Sequence, residues 1–151
     1  MNTTTQPPAL RRIDDLLSHY GSSHQHPVNE AIHLIAIPLI MLSLLGLLSA
    51  LHPWVAYAFV GASVVYYVRL GSPLMLLGMG LWTVGLLALV QRMGDAVVSM
   101  SVAIFIGAWI LQFVGHKLEG KKPSFFEDIQ YLWVGPLFVL AVLYRKLGLR
   151  F

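Results

Sequence analysis

Three histidines stand where apolar segments end. His116 follows the charge-free stretch 96–115 in the run Gln112-Phe-Val-Gly115-His116-Lys117-Leu-Glu119, while His24 and His33 flank the start of an earlier one, with Asn29 four residues before His33. Imidazole is the commonest transition-metal ligand and titrates near neutrality, so several histidines at the ends of membrane-length segments point to a metal site at the lipid boundary. His24, His33 and His116 can give three nitrogen ligands. Glu119, one helical turn beyond His116, can add an oxygen or hold a ligand in place, and a redox iron with His and carboxylate ligands and open positions can bind both O2 and a chelating substrate. Zinc fits the same donors. The spacing is not a short local metal motif such as H-E-x-x-H. Histidines resting at the headgroup level, with Glu119 paired to Lys121 or Lys122, account for the same pattern. Gln112 and Trp109, one and two turns before His116, can line a pocket, and Lys121 and Lys122 can meet an acidic substrate head. His19, His26 and His52 fall in exposed turns or helix ends, where no chemistry is needed to explain them.

The elements that must carry these residues are membrane helices. The chain of 151 residues is 57% hydrophobic and 11% charged, against about 25% charged for a soluble domain. No Lys, Arg, Asp or Glu occurs in residues 31–68, 70–90, 96–115 or 129–144. A span takes about 20 apolar residues, so the first block, interrupted by His52-Pro53, holds two spans and the next two hold one each. The absence of cysteine excludes disulfides, thiolate nucleophiles, iron–sulfur clusters and Cys-ligated haem. A net charge of +3, spread over small basic clusters with no stripe of interleaved aromatics, gives no reason to expect nucleic-acid binding. The first apolar stretch begins beyond residue 30 and is too long for a signal-peptide core.

The expected fold is an all-α, polytopic membrane helix bundle forming one domain over residues 1–151. Residues 1–8 read as a disordered lead. Leu10, Ile13, Leu16 and Leu17 recur at helical spacing beside charged residues, which predicts an amphipathic helix over 9–19 that lies on the membrane or caps the bundle. Gly21-Ser22-Ser23 breaks it, and Pro27 suits the first turn of the next helix. Spans are expected at about 32–51, 54–68, 73–90 and 96–115, and residues 129–144, with Gly135-Pro136 in their middle, form a short span or a re-entrant hairpin. Lys and Arg mark the cytoplasmic side. Arg11 and Arg12 before the first span and Arg69 after the second therefore place those segments inside and the 52–54 turn outside, and Lys117, Lys121 and Lys122 return the end of the fourth span to the cytoplasm. His24, Asn29, His33, His116 and Glu119 then share that face, and His52 lies opposite.

The string Tyr20, His24, Pro27, Asn29, His33, Pro38, followed by Gln112-Phe-Val-Gly115-His116-Lys-Leu-Glu119-Gly-Lys-Lys-Pro123, resembles the Mpo1-like family, also called DUF962 or YGL010w-like, over nearly the whole chain. The resemblance implies an integral membrane, Fe(II)-dependent dioxygenase that uses O2 to shorten 2-hydroxy fatty acids by one carbon, with His24, His33 and His116 as metal ligands. Asn29 and Glu119 occupy motif positions and are the residues to orient ligands or substrate in catalysis; Gln112, Lys121 and Lys122 are candidate substrate contacts. The compact, bacterial-looking form places the protein in a bacterial inner membrane with its site at the cytoplasmic face. Two other readings stay open: a haem-binding membrane protein with two axial histidines, and a noncatalytic membrane scaffold.

Overall fold

The computed structural model describes residues 12–22, 24–120 and 131–151. Among the described residues six α-helices run in order: α1 Arg12–Gly21, α2 Pro27–Leu51, α3 Pro53–Val68, α4 Pro73–Arg92, α5 Val97–Glu119 and α6 Val134–Lys146, with a 3-10 turn at Gly94–Ala96 before α5. No strand occurs among the described residues. The protein is an all-α membrane helix bundle.

Proline and a capping side chain set three of the starts. Pro27, Pro53 and Pro73 each open a helix, where a missing N–H costs nothing. The preceding His26, His52 and Ser72 accept hydrogen bonds from Val28 N–H, Trp54 N–H and Met75 N–H. Pro38 lies within α2, which continues through it to Leu51. α5 stops at Gly120, whose φ of 74° is a left-handed cap that glycine adopts without strain.

Three helical segments, Pro27–Leu51, Pro73–Arg92 and Gly94–Glu119, are long and apolar enough to cross a membrane, and Pro53–Val68 is a shorter apolar helix. Leu77, Leu81 and Val84 on α4 and Ile106 and Ile110 on α5 point outward. Such a surface is costly in water and suited to lipid. The charge-free part of α5 ends at Gly115, so its last turn, bearing His116, Lys117 and Glu119, projects beyond the apolar stretch.

α6 has 13 residues, about 20 Å of helix at 1.5 Å per residue against a hydrocarbon core of about 30 Å. Every residue from Val134 through Val142 is buried, as expected for a helix apolar on all sides. It packs against α1, α2 and α4. The amphipathic α1 lays Ile13, Leu17 and Tyr20 on this core, with Arg12, Asp15 and His19 outward. It runs to Gly21, two residues further than the sequence pattern predicts, and residues 1–11 lie outside the described ones.

α2 is the hub, touching α3, α4, α5 and α6, with α5 its most extensive partner. Glycine permits the close approach. A Cβ on Gly46 would collide with Ser101 Oγ, and one on Gly115 with Asn29 Oδ1. Small residues at helix contacts let backbones come together where lipid offers no hydrophobic drive. The Gly115 contact brings the end of α5 to the start of α2, where the histidines are.

Candidate metal centre

His24, in the turn after α1, His33, in the second turn of α2, and His116, near the end of α5, converge in the interior. Their relative exposures are 6%, 0% and 7%. One ligand atom from each lies within 4.8 Å of the other two. The ring centroids of His33 and His116 are 5.2 Å apart and those of His24 and His116 are 5.7 Å apart.

Backbone carbonyls fix two of the tautomers. His24 Nδ1 is 2.8 Å from the Tyr20 carbonyl oxygen, and His33 Nδ1 is 2.9 Å from that of Asn29. A carbonyl oxygen only accepts, so each Nδ1 carries the hydrogen and donates it. Each Nε2 is left with a lone pair, and the two Nε2 atoms are 3.0 Å apart. Two buried lone pairs at that distance repel unless a cation, a proton or a metal ion, sits between them. A metal bound at about 2.1 Å by imidazole nitrogen gives cis nitrogens about 3.0 Å apart in octahedral geometry. Imidazole held by Nδ1–H on a carbonyl with Nε2 presented inward is the usual second-shell arrangement of a metal-binding histidine. The donor set therefore fits a transition-metal ion.

Glu119 closes the site from α5. Its Oε1 accepts from Gln25 N–H at 2.9 Å, and its Oε2 accepts from His26 N–H at 2.9 Å and Asn29 Nδ2 at 3.0 Å. These donors include backbone groups just ahead of α2, where the helix dipole also favours an anion. Burial alone would raise the carboxyl above its ordinary 4.5, but the two backbone N–H groups and the Asn29 amide outweigh it and hold the pKa at about 2. The carboxylate pins the turn that carries His24 to the last turn of α5. Asn29 is fully buried, and its Oδ1 has no hydrogen-bond partner among the described residues.

Beside the triad is a cavity of about 40 Å³ bounded by Tyr20, Ile37, Trp109, Gln112 and Pro136, among others. Gln112 is 3% exposed and its Oε1 has no partner among the described residues. The structure thus brings His24, Asn29, His33, Gln112, His116 and Glu119 together. Lys121 and Lys122 lie outside the described residues. His26 and His52 serve as helix caps, the second at the far end of α2.

Tyr20 was not among the expected site residues, although it has two parts in the site. Its carbonyl orients His24, and its ring stacks on the His24 ring at 4.3 Å between centroids. The signal available was spacing, because Tyr20 precedes His24 by four residues as Asn29 precedes His33. Gly115 was likewise visible only as a neighbour of His116.

Comparison with known proteins agrees with the geometry. The family described as "2-hydroxy-palmitic acid dioxygenase Mpo1-like" matches residues 10–147. The chain belongs to the Mpo1-like family. A curated relative, the 2-hydroxy-palmitic acid dioxygenase MPO1 of Saccharomyces cerevisiae, is 29% identical over 138 residues, covering 87% of this Mpo1-like chain and 79% of the yeast protein. No solved structure matches it.

Proposed function

We propose that this Mpo1-like protein is a nonhaem Fe(II) dioxygenase that converts a 2-hydroxy fatty acid into the fatty acid one carbon shorter. The observation that carries the reading is the pair of inward-facing Nε2 atoms of His24 and His33, 3.0 Å apart beside His116; family membership and the named activity of the yeast relative supply the reaction class. Atoms and electrons balance with one O2 per turnover if C1 leaves as CO2 together with one water. The C1–C2 bond breaks, C2 becomes the new carboxyl carbon, and O2 accepts the four electrons. His24, His33 and His116 would hold the iron, which supplies O2 binding and chelation of the 2-hydroxy carboxylate.

The remaining roles belong to the chain's own groups. Tyr20 and Asn29 carbonyls keep two imidazoles in the ligand tautomer. Glu119 and the Asn29 amide position the turn that bears His24. Gln112 Oε1, buried without a partner among the described residues, accepts the substrate's 2-hydroxyl hydrogen, and Lys121 and Lys122 meet its carboxylate. Packed apolar side chains around the cavity keep bulk water from the reacting carbons. We place the protein in a bacterial inner membrane, and the Lys and Arg distribution supports a cytoplasmic position for this end of the bundle.

The haem alternative is disfavoured for the His24–His33 pair by the same distance, because axial ligands lie on opposite faces of the macrocycle, and the cavity of about 40 Å³ beside the triad is too small to hold one. The test is product analysis. Purified, iron-loaded protein given 2-hydroxypalmitic acid and air should yield the 15-carbon acid by mass spectrometry. Unchanged substrate at every chain length tried would sink the proposal.

A further inference from the structure

Resting on the dioxygenase reading, we infer that the substrate's acyl tail threads from the triad through the bundle past Met41 and reaches the lipid between α3 and α4, and that this passage sets chain length. Three cavities stand in series. The first, next to Gln112, has Met41 among its walls. A second, of about 20 Å³, begins at the same Met41 and is walled by Ser63, Tyr67 and Met79. Those three residues also border a third cavity of about 210 Å³, which extends along α3 and α4 to Gly80 and Val84. Val84 is one of the lipid-facing residues.

Beyond Met41 the walls suit a hydrocarbon, because the hydroxyls of Ser63, Tyr67 and Thr83 are already engaged. Ser63 Oγ donates to the Phe59 carbonyl at 2.8 Å and accepts from Trp133 Nε1, Thr83 Oγ1 donates to the Met79 carbonyl at 2.8 Å, and Tyr67 donates its hydroxyl hydrogen to the Trp133 carbonyl at 3.2 Å. What faces the outer cavity is mainly apolar. The first two cavities are too small for an acyl tail as they stand. The side chains that pinch them, Met41 and Met79, are of the type that yields most readily, unbranched with three rotatable bonds. A passage reaching the lipid also fits a substrate that is dissolved in the bilayer before it is bound.

The test uses the full chain, iron-loaded, with 2-hydroxy acids of increasing length. Referred to the free aqueous acid, wild-type kcat/KM should climb by up to about fourfold per added methylene until the passage is filled. Gly80→Phe blocks only the outer cavity, at a position where an added Cβ meets nothing within 4 Å; short acids keep their rates and the plateau comes several carbons earlier. Met41→Trp, at the junction of the first two cavities, should bring it earlier still. Independently, a 2-hydroxy acid with a diazirine at its tail end, bound without O2, should label lining residues of α3 and α4 on illumination. Wild-type activity with the same plateau in both variants, or labelling confined to the outer faces of α5 or equalled by the acid lacking the hydroxyl, overturns the passage while leaving the dioxygenase reading intact. Neither turnover nor labelling above that control overturns both.

Discussion

A single methyl group on Gly115 tests whether the close approach of α5 to α2 holds the triad together. In Gly115→Ala the new Cβ runs into Asn29 Oδ1 and presses on the Ile32 side chain. Relief requires α5 to move away from α2, or Asn29 to leave the Glu119 carboxylate. Overpacking of this kind costs about 1–3 kcal/mol, while Gly to Ala within a helix returns about 0.5–1 kcal/mol. Gly107→Ala is the matched control, being on the same helix with nothing within 4 Å of its added Cβ. It should be neutral or slightly stabilising, so the two variants should differ by about 1–3 kcal/mol. The effect on metal should be larger than on the fold, because ligand positions tolerate only about 0.2 Å and disturbance of supporting groups typically lowers metal affinity by about 10–100-fold. Thermal unfolding in detergent and Co(II) titration against a competing chelator read the two quantities. Equal stability and equal Co(II) affinity in Gly115→Ala and Gly107→Ala would refute the reasoning. Adding Asn29→Ala to Gly115→Ala should cost less than the sum of the single changes, since the clash is then gone.

Other substitutions separate ligands from their supports. His24→Ala, His33→Ala and His116→Ala should each reduce bound iron to background by elemental analysis, whereas His26→Ala and His52→Ala, which remove only helix caps, keep it and lose about 1 kcal/mol of stability. Glu119→Gln turns an amide N–H toward donors that need an acceptor; metal affinity should fall about tenfold while helix content by circular dichroism is unchanged, and full affinity would remove Glu119 from the positioning role. Gly78→Ala, whose Cβ would meet the Tyr144 hydroxyl and Leu140, should lower the unfolding temperature through an overpacking cost of about 1–3 kcal/mol and leave iron content alone. A stable Gly78→Ala would show that α4 and α6 pack less tightly than described.

Helix starts were legible because their causes are local. Pro27 and the break at Gly21-Ser22 set the first boundary, and His52-Pro53 splits the long apolar block at the residue where α2 ends and α3 begins. The meeting of His24, His33 and His116 was legible from two facts in combination, the charge asymmetry of the turns and the even number of helices between His33 and His116. The function of Glu119 was only half readable. Its spacing from His116 puts it near the site, but its donors at Gln25 and His26 are more than 90 residues away, and no periodicity encodes such a contact. The same holds for Gly115, whose need for a bare Cα comes from Asn29 on another helix. The stretch 129–144 was ambiguous because length and hydropathy do not distinguish a helix facing lipid from one enclosed by protein. α6 is the enclosed kind, surrounded by α1, α2 and α4.

The most direct test of the central claim is O2 uptake measured against bound iron. Detergent-purified protein is loaded to graded iron contents without O2, given a long-chain 2-hydroxy acid, and then mixed with aerated buffer. Uptake should rise in proportion to iron, reach its limit at about one iron per chain as the three-histidine site implies, and vanish in His33→Ala. Uptake that does not follow iron, or that survives loss of His33, would contradict the assignment of the triad as the catalytic metal site.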